Sequence, residues 1–166
     1  MVDEDAFADV VEANRAYAAA TAPMDLPAAA AKGLAVLTCM DSRLDPLRMM
    51  GLVPGDAKIL RNAGARVTED VLRTLVLARY LLEVRRVAVV QHTRCRMASG
   101  TEADVHVAIA EAGGPDTASL SFLTTSDQPA AVREDVTRIR AWPYLSGLAA
   151  AGFIFDLDTG LLRRIC

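Results

Sequence analysis

Three residues of this chain form a set that can hold a transition metal: Cys39, His92 and Cys95. Two thiolates and one imidazole suit zinc, because soft sulfur and borderline nitrogen match that ion. His92 and Cys95 stand three positions apart, so one turn after a strand can present both. Cys39 must arrive from a different element. Three protein ligands leave a fourth position open, the form of a catalytic zinc site, whereas structural sites usually close with four. Taken singly, each residue reads as core, since a buried cysteine behaves as a small hydrophobe. The set, with a charged pair beside it, reads as a metal centre.

That charged pair is Asp41 and Arg43. Alternate residues on extended backbone point the same way, so Asp41 can face the site that Cys39 faces, with Arg43 beside it. A carboxylate next to a metal-activated water can accept its proton or orient it. An arginine paired with that carboxylate keeps it ionised and holds it off the metal.

The elements that must position these groups follow from the apolar pattern. Leu34–Cys39 is a short apolar run read as a buried strand, and 86–92, ending in Gln91-His92, is the clearest strand in the chain. Both candidate ligand groups therefore sit at strand ends, where open parallel sheets gather their ligands. A weaker strand, 58–61, is ended by Asn62-Ala63-Gly64. Thr68 caps a helix running to about residue 84, with Glu69 and Asp70 in its first turn; its apolar content predicts burial on most faces. Further helices are predicted over 101–112 and 127–142. Residues 152–157 and 161–165, joined by Asp158-Thr159-Gly160, read as a hairpin. An N-terminal helix over 4–20 carries Phe7, Val10, Val11 and Tyr17 near one stripe, and an alanine-rich connection with two prolines follows it. Strands alternating with helices predict an α/β fold: one domain over 1–166 with a mainly parallel central sheet, and residues 1–30 as an arm and linker.

Composition narrows the function classes. The chain has 166 residues, 52% of them hydrophobic, enough for one core and too apolar for a disordered chain. A net charge of −3 gives no basic field for nucleic acid, despite a basic set of sixteen arginines and two lysines. No apolar run approaches the ~20 residues of a membrane helix. The acidic start, Met1 to Asp5, lacks the basic and apolar regions of a secretory signal. A cytoplasmic protein is expected, in which three cysteines stand as thiols or metal ligands rather than a disulfide framework.

Cys39-Met40-Asp41-Ser42-Arg43, Arg61-Asn62-Ala63-Gly64 and His92-Thr93-Arg94-Cys95 together resemble the signature of the β-class carbonic anhydrases, from about Leu34 to the C-terminus and in the right order. The chain is similar to the short, compact members of that class, including actinobacterial ones. The resemblance implies Zn2+ on Cys39, His92 and Cys95, a catalytic pair of Asp41 and Arg43, and a substrate pocket bordered by Asn62, Ala63 and Gly64. The fourth position would hold water or hydroxide, or Asp41 itself in a closed resting state. Zinc-bound hydroxide would attack carbon dioxide to give bicarbonate and a proton. The resemblance also implies four parallel strands extended by one more, and a homodimer or homotetramer in which the N-terminal helix packs on the partner subunit.

Two departures stand out. Family members commonly carry glycine directly after the second cysteine and often aspartate before it, whereas here Arg94 and Arg96 flank Cys95. Glycine adopts backbone conformations that arginine resists, so Arg96 is expected to modulate an intact zinc site, either by stabilising anions or by narrowing the mouth. His106 is the only other histidine available as a proton shuttle, but it lies in a predicted helix and is expected as a surface residue. Two alternatives follow: a carbonyl sulfide or carbon disulfide hydrolase on the same fold, or a zinc- or bicarbonate-binding regulatory protein without turnover. Other motif matches fail. Asp156-Leu157-Asp158 belongs on a first strand in the phosphatases that use it, and Asp-Thr-Gly in a short turn is ordinary turn chemistry.

Overall fold

The computed structural model describes residues 6–22 and 24–166. The predicted first turn at residues 4 and 5, and Pro23 of the linker, lie outside them. The elements in chain order are α1 (Ala8–Ala20), β1 (Leu34–Cys39), α2 (Pro46–Met49), β2 (Ala57–Asn62), α3 (Glu69–Leu81), β3 (Arg86–His92), α4 (Glu102–Glu111), α5 (Gln128–Ala141), β4 (Ala149–Phe155) and β5 (Leu162–Arg164). The five strands form one sheet in the order β2-β1-β3-β4-β5. β1 to β4 run parallel, and β5 pairs antiparallel with β4 at the edge. The expected four parallel strands and added edge strand are what is found.

Sequence accounts for most of this. β1 is buried at all six positions and β3 at all but its first, as continuous apolar runs require when both sheet faces are covered. Thr68 caps α3 by accepting from the Val71 N–H, and Asp127 caps α5 through the Ala130 N–H. Thr101 and Asp104 form a reciprocal capping box at the start of α4.

Chain order reverses at one place in the sheet. From β1 the chain moves outward to β2, then returns across β1 to β3 and continues to β4. β1 and β3 are thus neighbours whose onward connections diverge, and the crevice beyond their carboxyl ends is where such sheets take ligands. Cys39 ends β1 and His92 ends β3.

Two expectations need correction. α3 is not buried on most faces: Val71, Leu72, Leu75 and Ala78 pack inward, while Leu77, Tyr80 and Leu81 are exposed. A helix on one sheet face offers only one stripe to it. β4 begins three residues before the predicted strand, at Ala149-Ala150-Ala151. Small residues there let α5 approach closely; a Cβ on Gly152 would lie 2.2 Å from Val132 Cγ1. Residues 46–49, for which no element is predicted, form the short α2, capped by Asp45.

Candidate metal centre

Cys39, His92 and Cys95 converge. Their ligand atoms lie within 4.8 Å of one another, all three residues are buried, and among the described residues no other such group occurs. Cys39 Sγ and Cys95 Sγ are 3.9 Å apart. Two sulfurs on a tetrahedral zinc, each at ~2.3 Å, stand roughly 3.8 Å apart. His92 is fully buried, and its Nδ1 donates to the Thr93 carbonyl at 2.8 Å. That bond fixes the tautomer and leaves Nε2 with its lone pair free. Nε2 is buried and has no hydrogen-bond partner. An orphaned imidazole nitrogen facing two thiols is costly unless a cation takes its lone pair. The donor set therefore fits zinc.

The two thiol groups share a hydrogen bond. The Cys95 thiol donates to Cys39 and holds the Cys39 thiol well below its ordinary value against the opposing effect of burial. His92 and the backbone N–H groups of Asp41 and Gly64 add to this. Cys95 is pushed up, first by that hydrogen bond and then by burial. Burial alone would lower His92, but the neighbouring Cys39 sulfur and the Thr93 carbonyl outweigh it and raise it. Binding a metal would release the remaining thiol proton.

Arg43 grips Asp41 at both oxygens, Nε to Oδ1 at 2.9 Å and Nη2 to Oδ2 at 2.6 Å, while the Arg43 backbone N–H reaches Oδ1 at 3.0 Å. Asp41 Oδ2 lies 3.8 Å from His92 Nε2. These bonds hold the carboxyl far below the usual carboxylate range. Asp41 thus faces the cluster and is held by Arg43.

The family model described as Carbonic anhydrase matches residues 34–113. Beta-carbonic anhydrase 1 of Mycobacterium tuberculosis (strain ATCC 25618 / H37Rv) is 36% identical over 143 residues, which is 84% of this chain and 86% of that protein. The chain belongs to the β-carbonic anhydrase family. Membership places it among the carbonate dehydratases, a class of lyase. A crystal structure of carbonic anhydrase from Streptococcus mutans superposes with a TM-score of 0.90 at 35% identity, covering 100% of both chains. A relative from Acidianus sp. (strain A1-3), named carbon disulfide hydrolase, is 42% identical over 70 residues, 42% of this chain and 34% of that protein.

The other residues expected at this β-carbonic anhydrase site divide. Asn62 spends its side chain on the loop, accepting from the Arg66 N–H at 2.9 Å and donating to the Arg66 carbonyl at 2.7 Å. Ala63 and Gly64 form a 3-10 turn in which Gly64 takes a φ of 75°. Glycine is needed there for that backbone and because a Cβ would sit 3.1 Å from Met97 Cβ. Arg96 is exposed at the start of another 3-10 turn, Arg96–Ala98. Its backbone is not in the left-handed region, so the position does not demand glycine. Its charge reaches Asp104, whose carboxyl is held low first by Thr101 and in smaller part by Arg96. His106 is half-buried rather than at the surface: Nδ1 bonds Thr117 Oγ1 at 2.8 Å and the ring packs on Phe122.

Two supporting residues escaped the sequence reading. Arg61 donates to the Cys39 carbonyl at 2.9 Å and the Asp41 carbonyl at 2.6 Å, clamping the backbone on both sides of Met40. Gln128 Nε2 donates to the His92 carbonyl at 2.9 Å. Arg61 stood in the signature, but its role arises from strand register, which pairs it with Thr38. Gln128 carried no signal at all.

Proposed function

We propose that this chain catalyses reversible hydration of carbon dioxide to bicarbonate and a proton, with zinc held by Cys39, His92 and Cys95. The observation that carries this reading is the unpartnered, buried His92 Nε2, facing two thiols 3.9 Å apart and an arginine-held carboxylate. When bound, zinc acts as a Lewis acid that brings the ionisation of water near neutral pH, to ~7. The protein's own groups do the rest. Asp41 accepts a hydrogen bond from the attacking water and orients it. Its depressed pKa makes it a poor store for the proton, so orientation is its main work. Arg43 keeps Asp41 ionised and fixed beside the cluster. Ala63 and Gly64 wall the site with backbone and small side chains that suit an apolar substrate.

We further propose that the chain acts as a homodimer or homotetramer in the cytoplasm. Two free metal-binding thiols call for a reducing compartment. α1 has no buried residue, and Phe7, Val10 and Tyr17 are each about 60% exposed. A groove of about 560 Å3 crosses the sheet, lined by Leu34, Leu52, Ala88 and Phe153 and rimmed by Lys32, Arg86 and Arg164. An apolar stripe and an apolar groove left open on one chain support burial against another copy.

Stopped-flow hydration of carbon dioxide by zinc-loaded protein, from about pH 6 to about pH 9, tests the activity. Turnover should rise with pH as water ionises. Carbon disulfide consumed in preference to carbon dioxide would move the assignment to the hydrolases. Full zinc with neither reaction would overturn it.

A further inference from the structure

The turn between β4 and β5 is tied to the strand end that carries the metal ligands. Thr93 N–H donates to the Phe155 carbonyl at 2.9 Å, and Leu157 N–H donates to Thr93 Oγ1 at 3.0 Å. One residue further on, Arg94 Nη2 meets Asp158 Oδ1 at 2.9 Å. Arg94 holds a φ of 55°, a left-handed backbone that ordinary L-residues rarely adopt. That conformation has a consequence at the active pair: the Arg94 carbonyl accepts from Arg43 Nη2 at 3.1 Å. The same Nη2 donates to Asp41 Oδ2. Arg43 is thus fixed from two sides, by the carboxylate it serves and by the carbonyl of the left-handed Arg94.

We propose that Asp158 is a positioning residue for the reaction: by pairing with Arg94 it holds the left-handed turn whose carbonyl keeps Arg43 directed at Asp41. As a stability device the pair is weak, since both side chains are more than half exposed. Its value is orientation. The two Thr93 bonds already bring the turns together, so the ion pair has little to do beyond choosing the backbone of one residue. The proposal rests on the assignment of Asp41 and Arg43 as the catalytic pair.

The test uses full-length protein, with kcat, KM and bound zinc measured on the loaded enzyme. Exchange of the Arg43 Nε–H with water, followed by 15N NMR, is measured with and without metal. Asp158→Asn keeps a good turn residue but removes the charge. It should lower kcat about twofold to fivefold, the fold-change of a partly exposed pair, with KM and bound zinc unchanged and Arg43 Nε–H exchange faster. The double variant Arg94→Asp/Asp158→Arg restores the pair with the charges exchanged, and aspartate tolerates the left-handed region better than arginine. It should recover both kcat and the slow exchange. Arg94→Val disfavours the left-handed turn itself, and should cost more than Asp158→Asn, about tenfold. Unchanged Arg43 exchange in Asp158→Asn, or a folded, zinc-loaded double variant that recovers neither readout, overturns the proposal. If wild-type protein hydrates no carbon dioxide, the functional assignment fails, while Arg43 exchange still decides whether Asp158 positions Arg43.

Discussion

The two faces of the sheet are closed in different ways. On one, Ala35, Leu37, Val87 and Val89 meet Val71, Leu72 and Leu75 of α3 and Val136 and Ile139 of α5, in a continuous apolar cluster. On the other, Leu34, Val36, Ala88 and Val90 meet Cys39, Cys95 and Phe155, and cover comes from the short α2 and its flanks, Met49, Met50 and Leu52, and from turn residues such as Met97 and Leu157, with no long helix. The first face is finished within the chain. The second ends in thiols at one edge and an open groove at the other. The same strands therefore serve two purposes: one side specifies the fold, and the other leaves room for a metal and for a partner.

Substitutions on the two faces should separate stability from chemistry. Cys95→Ser should lower zinc affinity by more than the ~10–100-fold typical of an outer-sphere partner, and abolish turnover with it. The fold should persist, since the core face is untouched. Metal content after dialysis and circular dichroism check the two halves of this statement; full zinc at unchanged affinity would remove Cys95 from the ligand set. Leu72→Ala should do the reverse. Leu72 is fully buried, so its truncation should cost ~2–5 kcal/mol, a large share of the ~5–15 kcal/mol that such domains hold. Zinc affinity of the folded fraction should not change. Equilibrium denaturation gives the first number and metal titration the second.

Those two outcomes match what could be read beforehand. β1 and β3 were visible because parallel central strands are apolar throughout, and each ended in a candidate metal ligand. The three-residue spacing of His92 and Cys95 then brought one thiol beside the imidazole. What stayed hidden was whatever depends on a neighbour. Arg61 acts through its register against β1, Gln128 through the packing of α5 on β3, and Asp158 through a turn that sequence alone marks only as a turn. The left-handed Arg94 was invisible for another reason: glycine and asparagine signal that conformation, and arginine does not. The exposed side of α3 was misjudged because apolar content reports what a helix can bury, not how much surface is offered to it.

The open face carries the next prediction. Phe153 lines the groove with Arg86 and Arg164 at its rim. If a second copy covers that groove, Phe153→Arg buries a further cation there and should weaken self-association by about thirtyfold or more, as loss of an aromatic anchor does. Stability of the separated chain should change little. Sedimentation at several concentrations reads this directly, and an unchanged oligomer would place the interface elsewhere.

The smallest effect is expected at Arg96, although it borders Cys95 as closely in sequence as Arg94 does. The two arginines differ in what they touch. Arg94 has a left-handed backbone, an ion pair and a carbonyl bound to Arg43. Arg96 has ordinary backbone, an exposed side chain and a charge that acts on Asp104. A solvated charge near the surface is screened over ~8 Å at physiological salt, and its influence on the buried cluster is correspondingly faint. Arg96→Gly should therefore change kcat by no more than about twofold, and added salt should remove what difference there is. A tenfold change would mean that Arg96 folds over the mouth of the site during turnover. That would make this edge of the cluster, like the groove at the opposite end of the sheet, a surface completed only by something outside the resting chain.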